Sequence, residues 1–265
     1  MKIFRQILVA LALVAVIVLS PLLSNISVET WQRIHDVVAA ENLNLPLWID
    51  YAAVCVFSIC GTMTARVKGY DFVGAFVLAG VTAMGGALLR DGICIQHDIS
   101  PLFTDSGYIL SLTAAWLCAI YFGEYLMRLD NFMVACDAAG LGLYAVFGTN
   151  KALAFGLSVP VAIGIGALNA VGGGLLRDII SGEQAQIFKP GQFYTAIAVL
   201  SAILYILLID ILPPTFAAFV VVVLTIIARF AVIRYNIHSE SIEEKQNSVK
   251  RIFEIIHDKT HHTKK

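Results

Sequence analysis

From residue 152 to residue 176 the chain carries no charged side chain, and from residue 211 to residue 228 it again carries none. An α-helix needs ~20 apolar residues to cross the hydrocarbon core of a bilayer. In lipid the backbone finds no water, so each such run must satisfy its own amides and carbonyls as a helix. Seven runs of this kind follow one another, over residues 47–67, 72–89, 108–126, 132–148, 152–176, 194–209 and 212–233. Composition agrees: 14% of the 265 residues are charged, against roughly a quarter in an ordinary soluble domain. The fold class read from the sequence is therefore an all-α integral membrane protein. A formal net charge of -1 leaves no basic excess of the kind that marks nucleic-acid partners.

Two stretches match at a fixed spacing. Thr82-Ala-Met-Gly-Gly-Ala-Leu-Leu-Arg-Asp91 is echoed 87 residues later by Asn169-Ala-Val-Gly-Gly-Gly-Leu-Leu-Arg-Asp178. The same offset pairs Asp50 with Asp137, Gly61-Thr62 with Gly148-Thr149, Ala65 with Ala152 and Gly69 with Gly156. Glycine, arginine and aspartate in register are not chance matches in apolar sequence. Each copy spans three helices, an odd number, so the second copy enters the membrane from the opposite face. The expected architecture is seven transmembrane helices: an inverted repeat of two three-helix units, residues 47–130 and 131–211, plus a seventh helix in residues 212–235. Inverted repeats with glycine-interrupted helices at matching positions point to a central permeation or substrate site.

The segments outside this core read differently. In residues 1–24, Lys2 and Arg5 precede an apolar run that Ser20-Pro21 ends, the layout of a signal peptide or an N-terminal anchor. Residues 25–46 place Val28, Trp31, Ile34 and Val38 at helical spacing, either an extracytoplasmic amphipathic segment or a plain linker helix. Residues 236–265 form a charged tail, with Ser241 and Glu244 in a capping-box pattern. One set of loops between the spans carries Arg66, Lys68, Arg128, Arg177, Lys189 and Arg234, and the other only Arg33, Arg90 and Lys151. The positive-inside rule puts the first set, and the C-terminus, in the cytoplasm.

The candidate site residues follow from the repeat. Gly85 and Gly86 in the second span, and Gly172, Gly173 and Gly174 in the fifth, either kink their helices and free carbonyls to line a pore or let helices pack closely. Thr82 and Asn169, at equivalent positions, either offer oxygens to a partly dehydrated cation or make interhelical hydrogen bonds. Thr62 and Thr149 carry the same two readings. Arg90-Asp91 and Arg177-Asp178 close their spans, either as ion pairs locking the next loop or as a gate at each mouth. Asp50 and Asp137 open the first and fourth spans, as helix N-caps or as ion attractors. Lys151 either acts directly or snorkels to the interface, and Glu124 has Arg128 within reach at i,i+4.

The five cysteines form no C-x-x-C pair and read as small buried hydrophobes, so no metal site is expected. No H-E-x-x-H, G-x-S-x-G or P-loop pattern occurs, so neither catalytic residues nor a cofactor are expected, and the protein does not read as an enzyme.

The doubled Gly-Gly-x-Leu-Leu-Arg-Asp motif on seven spans resembles the bacterial branch of the trimeric intracellular cation (TRIC) channel family, also labelled as a glycine transporter domain family. The resemblance covers residues 47–235. It implies a homotrimeric channel for the monovalent cations K+ or Na+ in the cell inner membrane, surrounded by membrane lipids. It also implies a pore inside each protomer between second and fifth helices broken at the glycines, with the first and fourth helices helping to line it. The alternative is a secondary transporter of a small amino acid such as glycine, since half-helix N-termini at broken spans bind carboxylates.

Overall fold

A computed structural model describes residues 45–94, 99–128, 131–189 and 193–235. The signal or anchor reading, most of the amphipathic segment and the tail fall outside the described residues. Among the described residues all regular structure is helical. Seven apolar helices follow in order: α1 Leu47–Val67, α2 Phe72–Cys94, α3 Ser106–Met127, α4 Phe132–Ala154, α5 Val159–Ile180, α6 Tyr194–Ile209 and α7 Pro214–Arg234. One helical turn, Pro101–Thr104, precedes α3, and a 3-10 turn, Gln186–Phe188, precedes α6. Six of the seven are long and apolar enough to cross a membrane. The other, α6, has 16 residues, about 24 Å at 1.5 Å per residue.

Helix ends are set by glycines that the apolar pattern alone does not single out. Gly69, Gly156 and Gly182 have φ of 71°, 74° and 71°, the left-handed conformation that costs glycine least. Each follows a helix and ends it with the same pair of backbone bonds. Tyr70 N–H donates to Ala65 O at 2.9 Å, Leu157 N–H to Ala152 O at 3.1 Å and Glu183 N–H to Asp178 O at 2.8 Å, the Schellman arrangement. Two sequence boundaries are corrected by this. The fourth helix does not stop at Gly148 but runs to Ala154, and the fifth starts at Val159 rather than at residue 152. The second likewise runs past residue 89 to Cys94.

The centre is built from α1, α2, α4 and α5. Phe57 of α1 and Tyr144 of α4, 87 positions apart, stack ring on ring at 5.1 Å and 30°. The α7 helix lies along α4, where a Cβ on Gly142 would come within 3.1 Å of Val222 and Thr225. Thr225 also meets Ser201 of α6 at 2.7 Å. The outer surface is apolar: Phe72, Val73, Leu110, Tyr121, Phe122 and Phe219 are all more than half exposed. A surface of this kind is stable against lipid rather than water.

Candidate functional site

The repeated glycines meet where α2 and α5 cross. A Cβ on Gly86 would stand 2.1 Å from the carbonyl oxygen of Asn169, and one on Gly173 would stand 2.1 Å from that of Thr82. These are one contact made twice, with partners exchanged at the 87-residue offset, and the two helices run antiparallel through it. Gly85 faces the Leu176 side chain at 2.6 Å and Gly172 faces Leu89 at 2.9 Å, again the same pair repeated. The backbones touch, and no side chain larger than hydrogen fits between them.

The expectation of helices broken at these glycines is corrected: α2 and α5 run through them without interruption. The glycines act across the helices, not along them. Removing Cβ lets two backbones approach while each helix keeps its own hydrogen bonds.

Polar side chains beside the crossing turn toward backbone carbonyls. Thr82 donates to Leu78 O at 2.6 Å, Thr62 to Ser58 O at 2.8 Å and Thr149 to Ala145 O at 2.7 Å. Asn169 Nδ2 donates across to Tyr144 O at 2.8 Å, so only the asparagine makes the interhelical bond anticipated for this set. Its Oδ1 is buried and accepts no hydrogen bond. The first repeat helix also presses on this region. A Cβ on Gly61 would meet Thr82 Oγ1 at 2.7 Å, and one on Gly148 would meet Asn169 Cβ at 2.8 Å.

Because α2 and α5 are antiparallel, their Arg-Asp pairs lie at opposite ends of the crossing, and each organises a buried charge cluster. In the first cluster Arg90 is fully buried and its Nε donates to Asp91 Oδ1 at 2.7 Å. Asp91 also takes Lys151 Nζ at 2.9 Å and the Ser100 hydroxyl at 2.5 Å. Tyr108 donates to Asp50 at 2.6 Å. Arg90 Nη1 and Nη2 and Asp50 Oδ1 are buried without a hydrogen-bond partner, and the guanidinium lies 5.2 Å from the Phe147 ring centre.

In the second cluster Arg177 Nε and Nη2 both donate to Asp178 Oδ1, at 3.0 and 2.9 Å. Gln186 N–H donates to Asp178 Oδ2 at 3.0 Å. Tyr194 donates to Asp137 at 3.3 Å. Asp137 has Arg177 Nη1 and Arg229 Nη2 at 3.7 Å. Arg229, from α7, is 2% exposed and lies 4.7 Å from the Tyr194 ring centre. Beside this cluster opens a cavity of about 350 Å3 whose wall includes Thr64, Asp137, Asp178, Glu183 and Lys189.

Several sequence readings change here. Asp50 and Asp137 are not N-caps: α1 is preceded by Pro46 and α4 by Asn131, so both carboxylates sit inside their helices and meet tyrosines instead. Glu124 pairs with Arg66 at 3.1 Å, not with Arg128, which lies against Tyr125. Lys151 does not snorkel outward; it lies in the last turn of α4 and reaches Asp91. Among the cysteines Cys60 is buried, but Cys118 is exposed on α3.

Arg229, Tyr108 and Tyr194 were missed. A lone arginine within the apolar α7 run was the available signal, since intramembrane charge is costly unless paired. The tyrosines were hidden because they stand 86 apart, one short of the repeat offset.

Two ties hold the loops. Lys68 pairs with Glu183, joining the ends of α1 and α5, and holds the Glu183 carboxyl below its usual range. The Tyr51 hydroxyl donates to Asp105, which also accepts the Gly107 amide at 2.8 Å. Both bonds hold the Asp105 carboxyl below the ordinary aspartate value, the tyrosine's first.

The sequence matches the family described as Glycine transporter twice, over residues 47–124 and 134–210. The chain belongs to this family. Its two family matches begin 87 residues apart, the offset of the repeat. A relative named UPF0126 membrane protein, from Deinococcus radiodurans, is 33% identical over 165 residues, 62% of this chain and 74% of that protein. The UPF0126 inner membrane protein YadS of Escherichia coli strain K12 is 28% identical over 199 residues, 73% of this chain and 94% of its own length.

Among solved structures, the TRIC trimeric intracellular cation channel orthologue from Rhodobacter sphaeroides is similar with a TM-score of 0.65. It is 27% identical and covers 71% of this chain and 97% of that one. A structure described as the basis for conductance through TRIC cation channels has a TM-score of 0.63 at 28% identity, over 74% of this chain and 97% of that one. This family member is thus a multi-pass membrane protein with the TRIC channel fold.

Proposed function

We propose that this protein is a homotrimeric channel for monovalent cations, K+ or Na+, with a permeation path through each protomer between α2 and α5. The observation that carries the reading is the similarity to two TRIC cation channel structures over 97% of their chains. In this reading the two three-helix units form an inverted repeat, with α7 added to the second unit. The site lies in the cell inner membrane with the C-terminus in the cytoplasm, and lipids cover the apolar outer face.

The geometry supplies a mechanism for such a path. The crossing at Gly85, Gly86, Gly172 and Gly173 is the constriction, while Gly174 of the same motif faces the Tyr194 hydroxyl of α6. At Gly86 and Gly173 no side chain stands between α2 and α5, so of the side chains between these helices only those of Leu176 and Leu89, packed on Gly85 and Gly172, move when the helices part. Parting the helices exposes the Thr82 and Asn169 carbonyls and the Asn169 Oδ1, all oxygens suited to replacing part of a cation's hydration shell. Thr62 and Thr149 flank them with hydroxyls. On either side, Arg90, Asp91, Asp50 and Lys151, and Arg177, Asp178 and Asp137, act as gating charges, whose pairing decides whether water and ions reach the constriction.

The test is flux through proteoliposomes holding the purified full chain. A K+ gradient is imposed and K+ movement is followed by a voltage-sensitive dye, with labelled glycine uptake measured in parallel. Rapid, non-saturating K+ movement without glycine uptake is the expected result. Saturable glycine uptake with little K+ movement overturns the channel and replaces it with a transporter.

A further inference from the structure

Phe57 and Tyr144 are equivalent positions of the repeat, and their rings stack at the centre of the molecule. They differ by the tyrosine hydroxyl. Tyr144 is fully buried, and its hydroxyl donates to Ala83 O of α2 at 2.5 Å. Its own carbonyl accepts Asn169 Nδ2 of α5 at 2.8 Å. One residue of α4 thus holds both crossing helices, and it holds them at the crossing itself. Ala83 follows Thr82, whose carbonyl stands against Gly173, and the Asn169 carbonyl stands against Gly86. The first copy of the repeat makes neither bond. Phe57 has no hydroxyl, and Thr82, the counterpart of Asn169, donates to Leu78 O of its own helix.

Close packing pairs these four helices into two bodies. A Cβ on Gly61 of α1 would stand 2.8 Å from Ala79 Cα and from Leu78 O of α2. A Cβ on Gly166 of α5 would stand 2.7 Å from Ala145 O of α4, and one on Gly148 of α4 would stand 2.8 Å from Asn169 Cβ of α5. So α1 is seated on α2, and α4 on α5. Between the bodies, the glycine contacts and the stacked rings attract through dispersion, which depends weakly on direction. A hydrogen bond weakens steeply with angle, so the Tyr144–Ala83 bond gives the crossing a directional hold. Lys151–Asp91 and Lys68–Glu183 tie the same two bodies toward their two ends.

We propose that the Tyr144 hydroxyl is a latch that holds the α2–α5 crossing closed, and that the crossing opens when α4 and α5 move as one body away from α1 and α2. As α2 and α5 part, α4 leaves with α5 and the hydroxyl is drawn off Ala83 O. The grip costs α2 nothing, because a carbonyl has two lone pairs and α2 is continuous through Ala83. Release does cost the phenol, since a buried hydroxyl without an acceptor is unfavourable. The closed crossing is therefore favoured until water reaches the hydroxyl. The effect on ion flux rests on the channel reading; the latch does not.

Tyr144→Phe deletes the bond, keeps the ring stack and reproduces Phe57. The full chain in proteoliposomes is measured in two ways, by K+ flux and by backbone hydrogen exchange over residues 82–91 and 169–178, with α3 and α7 as references. Tyr144→Phe is expected to raise both the flux and the exchange at the crossing by about 2- to 10-fold, the weight of one net hydrogen bond, and to leave α3 and α7 unchanged. Placing 4-aminophenylalanine at position 144 restores a donor at the same ring position and should return both readouts toward wild type. Exchange at the crossing that does not change, that rises equally in α3 and α7, or that the restored donor fails to slow overturns the latch. Faster exchange at the crossing without K+ flux in any variant supports the latch and removes the channel reading. K+ flux that is present but indifferent to the hydroxyl, with exchange at the crossing equally indifferent, does the reverse.

Discussion

Gly86 and Gly173 carry the tightest demand of any residue at the helix crossing. A methyl group at either meets a backbone carbonyl of the partner helix at 2.1 Å, and backbone, unlike a flexible side chain, cannot turn aside. Gly173→Ala is expected to cost roughly 1–3 kcal/mol, the usual penalty of overpacking, read as a lower Tm in detergent. Gly164→Ala is the control: it lies in the same helix with nothing within 4 Å of the new carbon. There alanine's better helix propensity should leave Tm unchanged or higher. Equal losses at both sites would mean that the crossing is looser than described. Asp91 makes the second demand at this scale. Asp91→Asn leaves the buried Arg90 and the mostly buried Lys151 without their shared counter-charge. Breaking a buried pair from one side costs about 3–5 kcal/mol, so the variant should unfold at markedly lower temperature or fail to accumulate.

At the scale of elements, the helix ends and the helix interiors were legible to different degrees. The α1 and α6 boundaries coincide with the apolar runs, because charge or polarity changes abruptly there. The boundary between α4 and α5 does not, because glycine serves two purposes in this chain, and α2 runs on past residue 89 because its Arg90 and Asp91 are buried and paired inside the helix. Gly148 is pressed against Asn169 inside a helix, while Gly156 ends that helix with positive φ; the letter is the same in both places. The loop ties are likewise invisible in sequence, since Lys68 and Glu183 are 115 residues apart. Their pairing carries a pH signature. Lys68 depresses the Glu183 carboxyl below its ordinary value of 4.5. The tie therefore contributes above that value and is lost as pH falls through the depressed one. Glu183→Gln should differ from wild type in Tm at neutral pH and low salt, and the two curves should converge in acid. Curves that stay parallel would show that the tie carries no stability.

The described residues present an apolar exterior, and their buried charges are gathered in two paired clusters within an otherwise apolar interior. Three protomers of 28.7 kDa each give 3 × 28.7 = 86.1 kDa. Native mass spectrometry from detergent should find that species; a monomer alone would remove the homotrimer from the proposed function.

The amino-acid sequence by itself determined that the chain lives in lipid, that it is helical, and that its core is one unit written twice. Those properties follow from local composition and from periodic identity, which need no third dimension to be read. Only the tertiary structure decided what the repeated residues do. It turned the glycines from helix breakers into a crossing, because a missing side chain matters only when something stands opposite it. It turned the aspartates from caps into tyrosine partners and brought Arg229 from outside the repeat to Asp137. Pairing energies depend on distance and burial, and neither is written along the chain.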